Sequence, residues 1–166
     1  MTTNEWLPLA VLASSLLPGL VIFALPEGWT SLRTTLNLFG AIAKLVLVAV
    51  LLASVSAGEE YGVRFSVLPG LDLAFKADAL GLLFISLSAV LWLFTTLYAI
   101  GYLEGAPHRS RFFGFFSLCV TATVGIAMAA NLFTFFIFYE LLTLSTFPLV
   151  VHRGTDKAMR GGTIYL

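Results

Sequence analysis

Between Asn131 and Val151 the chain reads NLFTFFIFYELLTLSTFPLVV, about twenty-one residues in which Glu140 carries the one charge. Coiled into a helix at about 1.5 Å per residue, such a run spans the roughly 30 Å hydrocarbon layer of a bilayer. Comparable runs cover 6–25, 34–57, 79–103 and 112–130. Charged residues make up 11% of the chain and hydrophobic residues 59%, whereas a soluble domain carries roughly 25% charged residues. The runs are continuous rather than alternating, which excludes a β-barrel. The expected fold is an all-α integral membrane protein: one membrane domain over 1–166, with about five transmembrane helices and the start of a sixth.

The connections carry their own signals. Span 6–25 contains Pro18-Gly19 and is preceded by Glu5 instead of a basic segment, so it reads as a retained helix bent at Pro18 rather than a signal peptide. Residues 58–77 change to a period of two around Leu68-Pro69-Gly70-Leu71, which predicts a β-hairpin with a type II turn. Two strands alone are marginal, so the hairpin is expected to lie on a neighbouring surface such as a partner subunit. Asp78 is placed to cap the third span. In the fourth span Ser117, Thr121, Gly125 and Ala129 form a small-residue stripe suited to close helix packing. Residues 152–160 read as a basic loop, and Gly161 to Leu166 as the opening of another helix.

Basic residues set the expected orientation. Arg33, Arg109, Arg111, Arg153, Lys157 and Arg160 fall in the connections on one side. Arg64 and Lys76 on the other side are outnumbered by Glu5, Glu59, Glu60, Asp72 and Asp78. The positive-inside rule therefore puts the N-terminus and hairpin outside and the 152–160 loop in the cytoplasm, in a plasma (inner) membrane of bacterial or archaeal type.

The candidate functional residues are the polar ones at membrane depth. Glu140 lies about 13–14 Å along its helix from Asn131, near the bilayer midplane. It can be a neutral glutamate bonded inside the bundle, or a relay that takes up and releases a proton. Thr143, three residues on, is close enough to help orient it. Lys44, about 16 Å from Arg33 along its helix, shares a face with Asn37, Gly40 and Ala41. It either snorkels or meets a carbonyl, or it pairs with Glu140. Pro148 frees the Leu144 carbonyl, which either bends the helix or offers a ligand to water or an ion. The lone Cys119, the two histidines at span ends and the missing phosphate-loop, metal-ligand and nucleophile motifs argue against soluble-enzyme chemistry. No cofactor or metal site is expected in this chain, and a net charge of +0 does not point to nucleic acid.

Four segments follow the order and spacing of one family: KADALGLLF at 76–84, LYAIGYLEG at 97–105, RFFGFFSL at 111–118 and NLFTFFIFYELLTLSTFPLVVH at 131–152. On these the chain resembles the antiporter-like subunits shared by Mrp-type cation/proton antiporters, respiratory complex I and membrane-bound hydrogenases. The likeness is greatest to the D-type Mrp subunits and their complex I counterparts. The resemblance implies a subunit that moves protons, or exchanges protons for Na+, within a multisubunit complex. It also implies that Glu140 stands at the family's fifth-helix glutamate, which modulates a lysine on a later helix. Lys44 matches no family position. Because the later helices of the inverted repeats lie beyond residue 166, a split subunit or a truncated product is expected. A partner subunit would then carry those helices and their lysines, with membrane lipid around both. Two other readings stay open: a non-conducting subunit that docks its neighbours, and a coupling subunit of a redox-driven complex, not catalytic by itself.

Overall fold

The computed structural model describes the backbone of residues 3–165 and the side chains of 6–165; Glu5, counted above among the outer acids, lies outside the described side chains. The element order is α1 (Thr3–Ala24), α2 (Thr30–Ser56), β1 (Gly62–Leu68), β2 (Leu71–Lys76), α3 (Ala79–Tyr102), α4 (Arg109–Ala127), α5 (Leu132–Val150) and α6 (Asp156–Tyr165). The first five helices are long and apolar enough to cross a membrane. The chain is thus a multi-pass, helical membrane protein carrying a two-stranded antiparallel hairpin between its second and third helices.

Helix ends follow local chemistry more closely than hydropathy does. Asp78 caps α3 by accepting the Gly81 N–H at 2.6 Å, and Asn131 caps α5 by accepting the Thr134 N–H at 2.8 Å. Helix α2 starts at Thr30 rather than 34 and takes the charged Arg33 into its first turn, where the side chain is buried. Residues 152–160 are not one loop. Helix α6 begins at Asp156, with Thr155 Oγ1 accepting the Ala158 N–H at 3.2 Å and an acid beside the positive helix end. A helix this polar leaves no apolar run to betray it. Helix α1 continues through Pro18. Proline lacks the N–H that would bond Ser14, and α2 passes closely there: a β-carbon on Gly40 would lie 2.8 Å from the Ser14 carbonyl oxygen. Glycine at 40 is what lets the two backbones approach.

Helices α1 to α4 form a ring in which α1 packs on α2 and α4, and α3 on α2 and α4; α5 packs on the outer side of α4. The small-residue stripe makes these contacts over three of its four members. A β-carbon on Gly19 would meet Ser117 Cβ at 2.8 Å, Thr121 faces α1, and Gly125 receives the Phe138 ring of α5. Ala129 lies past the end of α4 and pairs with Phe75 in an isolated bridge.

That bridge identifies the neighbouring surface on which the hairpin lies: a segment of its own chain. Gly70 has φ +84°, as the second central residue of a type II turn requires. Residues 128–130 then run along β2: the Lys76 N–H donates to the Met128 carbonyl and the Ala130 N–H to the Ala74 carbonyl, both at 2.8 Å. Asn131 Nδ2 donates to the Asp72 carbonyl at 2.8 Å, and Phe75 meets Phe138 edge-on at 5.6 Å. These groups supply the third partner that a two-stranded ribbon needs. One bond among them is exposed to a direct test. The buried Ala74 N–H donates to Thr134 Oγ1 at 2.8 Å. Thr134→Val strands that donor and is expected to cost about 1–3 kcal/mol, whereas Thr134→Ser keeps the acceptor. Unfolding of the two variants in detergent should show the valine protein melting lower and the serine protein near wild type.

Candidate functional site

Each helix of the ring sends a side chain to its centre. Lys44 projects from the face of α2 that also buries Arg33, Asn37, Gly40, Ala41, Val48 and Leu51, and it is 0% exposed. Its ammonium donates to Ser15 Oγ of α1 at 2.7 Å, and Ser15 Oγ lies 2.8 Å from Thr121 Oγ1 of α4. Thr121 donates in turn to the Ser117 carbonyl at 2.9 Å. Ser15 Oγ also lies 3.3 Å from the Leu12 carbonyl. Each hydroxyl carries one proton, so Ser15 and Thr121 share two protons among three acceptors, and either hydroxyl can donate to the other. From α3, the Trp92 ring presents its face to Lys44 Nζ, 5.0 Å from the ring centroid. The ring quadrupole and one hydroxyl are the amine's partners; among the described residues no carboxylate comes within 4.0 Å. Of the alternatives open for Lys44, pairing with Glu140 is not seen among the described residues, because α4 stands between α2 and α5.

Glu140 lies on the side of α5 away from α4. Thr134, Phe138 and Ser145 carry the packed face, while Phe136, Tyr139 and Leu144 are exposed. The Glu140 side chain is half-buried, and among the described residues no hydrogen bond or ion pair reaches its carboxylate. Thr143 does not orient it: its hydroxyl donates to the Tyr139 carbonyl of its own helix at 3.1 Å. Pro148 is accommodated within α5, which runs on to Val150. Lys44 and Glu140 are thus two separate intramembrane ionisable groups, one enclosed by four helices and one on the open side of the fifth.

At one end of the bundle a second polar group forms. Glu27, in the α1–α2 turn, accepts the backbone N–H groups of Arg109 and Ser110, both at 3.1 Å, and so caps α4 from a distance. Arg33 binds Ser110 Oγ at 2.8 Å and lies 3.6 Å from Glu27. Beside them, a cavity of about 620 Å³ is lined by Tyr102, His108, Arg111, His152 and Arg153 among others. Burial, then the neighbouring Arg111 and His108, push the His152 imidazole below its ordinary value. Sequence reading misses Glu27, Ser15 and Trp92. The first looks like a turn residue, the second one of two adjacent serines in an apolar run, the third an ordinary aromatic, and only packing gives each a role.

Comparison with known proteins places this geometry. A family model described as NADH-Ubiquinone oxidoreductase (complex I), chain 5 N-terminus, matches residues 69–113. The chain is 24% identical over 152 residues to the chloroplastic NAD(P)H-quinone oxidoreductase subunit 5 of Huperzia lucidula, covering 87% of this chain and 21% of that one. It is 31% identical over 81 residues to Na(+)/H(+) antiporter subunit A1 of Staphylococcus aureus (strain JH9), covering 49% of this chain and 10% of the relative. These relatives carry the names subunit 5 and subunit A1, beside the D-type likeness read from the motifs. The fold is shared with a chain of the membrane-bound sulfane sulfur reductase, an archaeal respiratory membrane complex, at a TM-score of 0.71 and 20% identity over 85% of this chain and 22% of that chain. This chain therefore spans about a fifth or less of the curated relatives it matches. Motif, family model and fold agree on one resemblance, to the N-terminal part of the antiporter-like subunits of cation/proton antiporters and complex I.

Proposed function

We propose that residues 1–166 act in proton translocation, or in the exchange of protons for Na+, as the N-terminal helices of an antiporter-like unit in a multisubunit membrane complex. The observation that carries this is the presence of two intramembrane ionisable groups, Lys44 and Glu140, with no counter-ion among the described residues. Charges at that depth are costly and are characteristic of ion and proton pathways. Glu140 lies on the open side of α5, where helices outside these 166 residues would cover it and supply its partner, on a further subunit if the unit is split. In this reading the end bearing Arg33, Arg109, Arg111 and Arg153 faces the cytoplasm and the hairpin faces outward, in a plasma membrane.

Glu140→Gln keeps the shape and removes the titrating group. In vesicles containing the intact complex it is expected to lower proton or Na+ flux by about tenfold or more, the scale of about 1.4 kcal/mol or more in a barrier. Assembly should be unaffected, since the carboxylate has no described partner to lose. Wild-type flux in a fully assembled variant would remove Glu140 from the pathway and leave a docking role for α5, whose Phe136, Tyr139 and Leu144 are exposed.

A further inference from the structure

Among the buried polar atoms that have no protein partner among the described residues, four lie between Arg33 and Lys44: Asn37 Oδ1, Thr96 Oγ1, Trp92 Nε1 and Ser117 Oγ. All four side chains are at most 1% exposed. Buried polar groups in native proteins are almost always bonded, and ordered water does this where side chains do not.

The four are aligned rather than scattered. Helix α2 is antiparallel to α3, and a β-carbon on Gly40 would lie 3.2 Å from Trp92 Cη2. One turn further toward the Arg33 end, Asn37 of α2 and Thr96 of α3 therefore come level. Helix α4 runs parallel to α2, with Arg33 bonded to Ser110 at one level and Lys44 joined through Ser15 to Thr121 at another. Ser117 then stands level with Gly40 and Trp92. From the Arg33 end inward the levels are Arg33 with Ser110, Asn37 with Thr96, Trp92 with Ser117, and Lys44 with Ser15 and Thr121. Successive levels are roughly one helical turn, about 5–6 Å, apart. A buried apolar cluster of Ile22, Ala99, Leu103 and Phe113 packs around the Asn37 and Arg33 levels, and Arg33 reaches past it to the half-exposed Glu27 at 3.6 Å.

Beyond Lys44 the character changes abruptly. Toward the hairpin the interior is filled by Val11, Leu12, Val48, Leu51, Ile85 and Met128, all buried in one apolar cluster. On that side Ser86 Oγ of α3, beside Ile85, is a single buried hydroxyl without a protein partner among the described residues, set against the apolar cluster.

We infer that the seam is a hydrated half-channel, connecting the Lys44 amine to the aqueous phase at the Arg33 end and closed toward the hairpin by the apolar cluster. Its ligand is a file of water molecules held by the Asn37 amide, the Thr96 and Ser117 hydroxyls and the Trp92 indole N–H. Hydroxyls and water both donate and accept, so such a file can pass a proton to or from Lys44 and onward to Ser15. The purpose assigned to the file rests on the transport reading above; its hydration does not.

Hydroxyl-radical labelling separates the two. A brief X-ray pulse on the intact complex in membrane vesicles, in oxygen-18 water, oxidises side chains that adjoin water, and mass spectrometry locates the label. Trp92 is expected to be labelled within about tenfold of exposed Trp29, because bound water lies against its indole. Met128, whose thioether is readily oxidised, is expected to stay unlabelled although it is as deeply buried as Trp92. Asn37→Leu should lower the Trp92 label by about fivefold or more while leaving Trp29 unchanged. The half-channel is overturned if Trp92 stays silent where Trp29 is labelled, or if Met128 is labelled as strongly as Trp92. The Trp92 and Met128 comparison needs no variant, so it stands even where Asn37→Leu does not assemble. Loss or retention of flux in Glu140→Gln does not change what it reads.

Discussion

Lys44→Met is expected to leave the protein at least as stable and make its complex less active. Methionine has a similar length and flexibility, fills the same space between α1, α3 and α4, and needs no counter-ion. The ammonium it replaces is 0% exposed and is held by one hydroxyl and an aromatic face. Those contacts repay only part of the several kcal/mol that desolvating an ion costs. Replacing buried ionic groups with packed apolar ones is often neutral or stabilising by about 1–4 kcal/mol, so the thermal midpoint in detergent should hold or rise. Ser15 keeps its bonds to Thr121 and the Leu12 carbonyl, so the hydroxyl pair stays intact without the ammonium. Flux through the intact complex should fall by about tenfold or more if the amine is a station on the path. Wild-type flux with a raised midpoint would make Lys44 a structural remnant; a lowered midpoint would show the amine to be better compensated than one hydroxyl and one ring allow.

Gly125→Leu is expected to separate α5 from α4. At Gly125 even a β-carbon overlaps the Phe138 ring, which also packs on Phe75 of the hairpin. The added side chain cannot be absorbed by a small rotation of that ring, so overpacking should cost about 3 kcal/mol, the upper part of the usual range. The consequence reaches beyond stability. Helix α5 carries Glu140, and its first turn together with the α4–α5 turn carries the bonds that hold the hairpin. Reduced assembly and lost flux should therefore appear together. Phe138→Ala opens the space, and the double variant should recover at least half of the assembled complex by native gel. If Gly125→Leu assembles normally, the α4–α5 contact is not what sets the position of Glu140.

Both expectations depend on contacts that no single helix encodes. The Lys44 face was legible because Asn37, Gly40, Ala41 and Lys44 recur at helical spacing in an otherwise apolar run. All four are buried in the structure. The turn at Pro69-Gly70 and the cap at Asp78 were legible for the same kind of reason, since each rests on the conformation or bonding of one or two residues. The pairing of Lys44 with Glu140 concerns two helices at once, and α4 lies between them. Thr143 shows the opposite limit. Its position relative to Glu140 is a matter of helix geometry, but its hydroxyl has a nearer acceptor in the Tyr139 carbonyl.

What the amino-acid order determined by itself is the solvent and the local shapes. Five apolar runs admit only membrane-spanning helices, because backbone groups in hydrocarbon must bond within their own segment. A period of two around Pro-Gly admits only a hairpin. Tertiary structure alone decided which polar groups meet. Ser15, Trp92 and Thr121 come from three helices, and nothing in the spacing within any one of them states that they converge on Lys44. Glu27 likewise reaches α4 across more than eighty residues of sequence. The reason is physical: helix periodicity is a short-range property of the backbone, whereas the azimuth and depth at which helices pack are set by side-chain volume. Gly19, Gly40 and Gly125 mark where that volume had to vanish for the ring and its fifth helix to close.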